Sequence, residues 1–343
     1  MLDTVRITLQ NVGEDALRHR TDGELWSFNT LEDGTLQNAR LIHRLNASDD
    51  GKAYNGTVGL EYDFAHRYLN VSVSSVPAML YGTSFETVKQ DDLSKVGDAL
   101  NAEVEPFLNA DLNDGTFTRL DNSTLYAMKH EPSKYIALLD DLTRDKQYTL
   151  KKKYFQGETL ELYNGRRTIG LYDKYAKNAK NKVEMQYLRS IESDKTNALR
   201  YEIQNKNAPA IRQAFGQDVT LKHLASEDFR RRLLQQRLNE FNKHFRFSTE
   251  ERKATLEDFL NTSIFMKAKH KRTALDKTLW YLVIQKDFMT LKEVRKVMTA
   301  SGYSRQAIYR RMKALEEVTS YDVERLNLYE ELKSKVAYEC KVA

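Results

Sequence analysis

The chain has a single cysteine in 343 residues, Cys340. One thiol forms neither an internal disulfide nor a cysteine-rich zinc site, and this fits a reducing cytoplasm. No run of about 18 uncharged apolar residues occurs, so the sequence offers nothing to span a bilayer. The opening residues, MLDTVRITLQ, read as a strand and lack the basic region and apolar core of a secretion signal. The seven histidines include no His-x-His pair. All four prolines and all but one of the 14 glycines fall before position 217, so the later chain lacks both of the usual breakers.

What is present is a charged, globular composition, 41% apolar and 30% charged, with length enough for two or three domains. The net charge of +5 is unevenly spread: residues 203–343 carry +10 and residues 1–202 carry −5. A basic half points to a polyanion partner, and equally to a solvated helical surface rich in Lys and Arg. Charge alone leaves both open.

Up to about residue 205 the pattern alternates with period two. In VRITL, Val5, Ile7 and Leu9 share a face, as do Leu69, Val71 and Val73 in YLNVSVSSV. That is the signature of half-buried antiparallel strands. Helices are expected near 91–108 and from about Ser133. After about Ala208 the spacing turns helical, with Phe229, Leu233, Leu234, Leu238, Phe241 and Phe245 on one stripe. Ser248–Glu251 and Thr290–Glu293 read as capping boxes. No sequence repeat is visible. The expected fold is α+β, with an antiparallel-sheet domain over 1–225 and a helical region over 226–343.

Three strands have polar faces. In GTFTRLDNST, Arg119 and Asp121 lie opposite Leu120. In RTIGLYDK, Thr168, Gly170 and Tyr172 lie opposite Ile169 and Leu171. In ALRYEIQNK, Arg200, Glu202 and Gln204 lie opposite Leu199, Tyr201 and Ile203. With the apolar sides on the core, the other face gathers Asp121, Glu202, Tyr172, Arg119 and Arg200. Two carboxylates can hold a hard cation such as Mg²⁺, which polarises a phosphodiester that a tyrosine oxygen can attack. The phenol, with an ordinary pKa of about 10, needs the metal or nearby cations to ionise. Lys174, Lys177 and Lys180 stand where they could do this or hold phosphates. The plainer reading, paired and solvated strand charges beside one of 19 tyrosines, stays open on parity alone.

Four stretches, in order, resemble the gene II replication initiators of filamentous phages and, more distantly, Rep_trans plasmid rolling-circle initiators with an HUH-like sheet. They are SVSSVPAMLYGTS (72–84), FTRLDNS (117–123), TIGLYDKYAK (168–177) and LRYEIQNK (199–206). The resemblance covers about residues 1–225. It implies a nickase that cuts one strand at an origin through a 5′-phosphotyrosine, leaves a 3′-hydroxyl primer, and later rejoins the displaced strand. Tyr172 matches the nucleophile, Asp121 and Glu202 the positions that bind Mg²⁺ or Mn²⁺, and Arg119 and Arg200 the accompanying arginines, with Lys174 beside them. The implied partners are duplex and single-stranded origin DNA and a host helicase and polymerase in a bacterial cytoplasm, with a homo-oligomer on DNA left open. Tyr175 departs from the pattern as a second candidate nucleophile, and on parity it falls on the other strand face. His43, His66 and His130 are candidates for a third ligand.

In the helical half, 289–318 reads as helix, Gly-containing turn, helix. Val294, Val297 and Met298 would face Ile308, Met312 and Leu315. Arg305, Gln306, Tyr309, Arg310 and Lys313 would then be exposed, as on a recognition helix in a major groove. An ordinary basic hairpin is the alternative. The rival functions are a plasmid initiator or relaxase with the same chemistry, and a non-catalytic origin-binding or repressor protein.

Overall fold

The computed structural model describes residues 1–17, 26–46, 54–143, 150–155, 157–190, 197–245, 295–296, 299–300, 302–310 and 322–342. Its strands are β1 (Leu2–Leu9), β2 (Ser27–Thr30), β3 (Leu36–Leu45), β4 (Gly56–Asp63), β5 (Tyr68–Val73), β6 (Thr116–Ala127), β7 (Lys151–Phe155), β8 (Thr159–Tyr163), β9 (Arg167–Asp173) and β10 (Ala198–Asn205). They form one 10-stranded sheet in the order β2-β3-β4-β5-β1-β6-β10-β9-β8-β7. Every neighbouring pair is antiparallel. With helices α1 (Val76–Tyr81), α2 (Lys95–Val104), α3 (Pro132–Leu142), α4 (Lys174–Asn178), α5 (Lys182–Ser190), α6 (Ala208–Phe215), α7 (Glu227–His244) and α8 (Asp322–Val342), the fold is α+β.

The period-two pattern explains the sheet. Val5, Ile7, Leu69, Val71, Val73 and Leu120 project to one side and are fully buried. They share a core with Val96 and Leu100 of α2, Ile211 of α6 and Leu233 of α7. Each such side chain contributes roughly 1.5–3 kcal/mol by leaving water.

The strand order contains a repeat that the sequence does not show. Strands β1 to β5 run β1-β5-β4-β3-β2, and β6 to β10 run β6-β10-β9-β8-β7, so the first strand of each half pairs with its last. Each half then enters a helix the same way. Ser75 and Asn207 cap α1 and α6 by accepting the Ala78 and Ala210 amides, with proline in the first turn of both. Gly82 and Gly216, each at φ 75°, end the two helices in the left-handed region that only glycine enters without strain. Counting back from the caps, Glu202 corresponds to Asn70 and Arg200 to Tyr68. At these two strand positions the charged groups stand only in the second half.

By contacts the chain forms two units, Met1–His244 with Ser334–Ala343, and Phe245–Lys333. Helix α7 thus groups with the sheet, although its texture reads with the helical region. Tyr201 and Phe241 meet edge to face, with ring centroids 6.1 Å apart. In the last turns of α8, Glu339 accepts hydrogen bonds from Thr124 (2.8 Å) and Tyr126 (3.0 Å) of β6 and pairs with Arg237 of α7 at 3.0 Å. Arg237 is almost wholly buried, so removing its partner strands a charge away from water. Glu339→Ala is expected to lower stability by about 2–3 kcal/mol, less than for a fully buried pair because Glu339 keeps some exposure. Urea unfolding of both proteins checks this, and an unchanged midpoint would contradict it.

In the second unit, Ser304 begins the helical run 305–310 and accepts the Ala307 amide at 3.2 Å. Residues 289–294, 311–318 and both capping boxes lie outside the described residues, and with them Lys313, Met312 and Leu315.

Candidate functional site

Strands β6, β10 and β9 lie side by side, and their register aligns the polar positions. Arg200 pairs with Tyr172, Glu202 with both Gly170 and Ser123, and Gln204 with both Thr168 and Asp121. Residues paired across a ladder point to the same face, so Tyr172, Arg200, Glu202, Asp121 and Arg119 share one. The Tyr172 hydroxyl donates to Glu202 Oε2 at 3.0 Å, and Gln204 donates to Glu202 Oε1 at 3.1 Å. Arg119 grips both oxygens of Asp121, at 2.7 Å from Nη2 and 3.2 Å from Nε. Arg200 donates to Ser123 Oγ at 2.8 Å and to the Ser84 carbonyl at 3.1 Å.

A third carboxylate, which sequence reading missed, completes the cluster. Asp3 of β1 pairs with Arg200 at 2.7 Å. By parity Asp3 belongs with Val5 and Ile7 on the core side. A register shift between Leu2 and Val5 turns Leu2 into the core and Asp3 onto the polar face. Ser123, beside Asp121, was also missed; it has the right parity but carries no charge, like Gln204, which the sequence places on this face.

The lysines behind the tyrosine are not a continuation of its strand. Asp173 ends β9 and caps α4, its carboxylate accepting the Ala176 amide. This corrects the parity argument for Tyr175, which stands on a helix rather than on the opposite face of a strand. Lys174, in the first turn of α4, is buried, with its ammonium 5.7 Å from the Phe85 ring centroid. Lys177 lies over the Tyr172 ring itself, at 3.8 Å from its centroid. Lys180 is exposed beyond the helix. A covering segment comes from the first half of the chain. Thr83 Oγ1 and the Ser84 amide both donate to the buried Glu184 of α5 at 2.7 Å, fixing the segment that meets Arg200.

Burial dominates the electrostatics. Tyr172 is 4% exposed, and burial, followed by the Glu202 charge, holds its hydroxyl well above the ordinary value. Burial and then Arg200 bring Lys174 down to about 7. Asp121 is pushed up to about 8 by burial, against the Arg119 hydrogen bonds and with help from the Glu202 charge. The folded chain therefore keeps a proton on Asp121 between about pH 4 and 8 that the unfolded chain releases, so stability falls as pH rises through that window. Asp121→Asn removes this titration, while Arg119, a third exposed, turns to water. The thermal midpoint of wild type is expected to fall more steeply than the variant's between about pH 5 and 8, leaving the variant more stable at the upper end. Parallel slopes would contradict it.

Among the described residues, no group of three His, Cys, Asp or Glu side chains lies close enough to hold a metal ion. The histidines considered as third ligands are engaged elsewhere. His43 pairs with Glu103 at 3.3 Å, His66 with Asp63 at 3.0 Å, and the His130 ring lies beside Tyr135. In the second unit Arg305, Gln306, Tyr309 and Arg310 are exposed and Ile308 is buried, the division of any amphipathic surface helix. Among the described residues, no helix is long and apolar enough to cross a membrane. The chain matches no protein-family model, and no curated protein matches it.

Proposed function

We propose that the protein initiates rolling-circle DNA replication as a metal-dependent, tyrosine-type nickase and strand transferase. The observation that carries this reading is the Tyr172 hydroxyl on Glu202, at 3.0 Å, with Asp121, Arg119 and Arg200 on the same face of adjoining strands. The Tyr172 oxygen forms a bond to phosphorus while the bond from phosphorus to the 3′ oxygen breaks. The phenolic proton passes to Glu202, which already accepts it as a hydrogen bond. Arg200 and Arg119 offset charge on the phosphoryl oxygens. The 3′ oxygen leaves as an alkoxide that takes a proton from water and, as a hydroxyl, primes synthesis; the 5′-phosphate remains on Tyr172 until a second transfer reseals the strand.

The donor set fits a hard dication. Asp121 and Glu202 supply carboxylate oxygens from adjacent strands, and the Glu202 charge that helps raise Asp121 is what a cation would offset. These two residues would hold Mg²⁺ or Mn²⁺, which when bound polarises the phosphodiester. Because Tyr172 is buried, cleavage requires Lys177 and the Thr83–Phe85 segment to give way to DNA. Arg305, Gln306, Tyr309 and Arg310, with Lys313, would read duplex origin DNA as the second helix of a helix-turn-helix over 289–318, and the sheet belongs to the HUH-like class. The partners are origin DNA and a host helicase and polymerase in a bacterial cytoplasm.

The burial of Tyr172 also favours a second reading, an origin-binding or repressor protein that does not cut. Supercoiled DNA of the replicon that encodes the chain, incubated with the protein and Mg²⁺, separates the two. A protein–DNA band that survives denaturation is expected. Binding without such a band would select the second reading.

A further inference from the structure

Strand β7 is one of the two edge strands of the sheet, and all five of its residues, Lys-Lys-Lys-Tyr-Phe, are exposed. Its register ties it to the candidate site. Phe155 pairs with Thr159, which pairs with Tyr172; Lys153 leads through Glu161 and Gly170 to Glu202; Lys151 leads through Tyr163 and Thr168 to Gln204 and then Asp121. Lys151, Lys153 and Phe155 therefore share the face of Tyr172; Phe155 is two strand spacings or roughly 10 Å from it, and Lys153 and Lys151 lie two and four residues further along the strand. Lys152 points the other way, where it pairs with Asp140 of α3 at 2.9 Å.

Between Phe155 and Tyr172 only the short Thr159 intervenes; Gly170, on the next rung, has no side chain, and Tyr163 stands on the rung of Lys151. A Cβ built at Gly170 would meet nothing nearer than the Glu202 carbonyl at 4.0 Å. Glu161 is the acidic group on the intervening strand, and Lys153 stands directly across from it. Lys153 also lies over the Phe155 ring at 4.5 Å, and Phe155 is 47% exposed. Lysine on an edge strand guards against edge-to-edge pairing, which accounts for the charges. It does not account for a half-exposed phenylalanine beside them on the face that holds the tyrosine.

We propose that Lys151, Lys153 and Phe155 form a subsite for single-stranded DNA flanking the nick, with the lysines on backbone phosphates and a base stacked on Phe155. Cations along a track together with an aromatic platform are the chemistry that binds single strands without reading sequence. The roughly 10 Å from Phe155 to Tyr172 is about the reach of one or two nucleotides. The inference rests on the nickase reading only for the choice of DNA as ligand.

The test is anisotropy of a labelled oligothymidylate with the full chain. Phe155→Ala is expected to weaken binding roughly five- to a hundred-fold, and Phe155→Trp to preserve it. The pair Lys151→Ala and Lys153→Ala should flatten the dependence of log affinity on log salt by about 0.7 for each phosphate no longer held. Lys152→Ala, on the opposite face, should leave binding unchanged. Equal weakening with Lys152→Ala would reduce the effect to bulk charge and overturn the proposal. Unchanged binding in Phe155→Ala, or tighter binding of oligouridylate than of DNA, would overturn it too. None of these readouts needs cleavage. A chain that never cuts but shows this alternation loses the nickase reading and keeps the subsite; one that cuts but binds without regard to face does the reverse.

Discussion

Tyr172→Phe is expected to fold, to bind DNA, and to form no covalent adduct. The change deletes one oxygen from a ring otherwise held by burial and by Lys177 over its face. Glu202 loses a donor but keeps Gln204 on its other oxygen, so the stability loss is about 1–2 kcal/mol, within the range for one unmade buried hydrogen bond. The effect on chemistry is of another order, because the change removes the attacking oxygen itself. Adduct formation should fall at least about a thousand-fold, as when other enzymes lose their nucleophile. Tyr175→Phe should retain it. Denaturing gels on the two variants decide: an adduct in Tyr172→Phe that is missing from Tyr175→Phe would reverse the assignment.

Glu202→Ala has the second largest expected effect. Glu202 both accepts the Tyr172 hydroxyl and raises Asp121, so its loss removes the proton acceptor and one of the two carboxylates offered to a cation. Cleavage is expected to fall by about 10²–10³, the equivalent of about 2.7–4 kcal/mol of transition-state stabilisation. Affinity for single-stranded DNA should change little, since the charge removed is buried. Glu202→Gln separates chemistry from packing. It keeps the size and one acceptor but cannot take the proton and offers a dication no charge, so it should be nearly as slow. Rates close to wild type in Glu202→Gln, or normal cleavage in excess chelator, would contradict the role assigned to this carboxylate.

The local part of this arrangement was legible in the sequence, because strand parity is a local property. Leu120, Ile169, Leu171, Tyr201 and Ile203 are buried, and the residues alternating with them on β6, β9 and β10 meet on the other face. What parity could not carry was any break in the ladder. The bulge in β1 hid Asp3, and the end of β9 at Asp173 placed Tyr175 on a helix. Strand order was also out of reach: β1 lies between β5 and β6, and the two halves repeat one another with almost no shared side chains. The cover over the site was hidden for the same reason. Thr83, Ser84 and Glu184 are about a hundred residues apart in sequence, joined by two hydrogen bonds. Helix α7 read as part of the helical region because periodicity reports a helix but not the surface on which it packs.

The most direct measurement of the central claim is the position of the nucleotide on the protein. Trypsin cuts after Arg167, Lys174 and Lys177, which places Tyr172 and Tyr175 on separate peptides. Wild-type adduct made with the replicon's DNA and Mg²⁺, digested with nuclease and trypsin, should carry a nucleotide 5′-phosphate on the peptide of residues 168–174 in the mass spectrum. The same mass increment on the peptide of residues 175–177, or on neither, would contradict Tyr172 as the nucleophile.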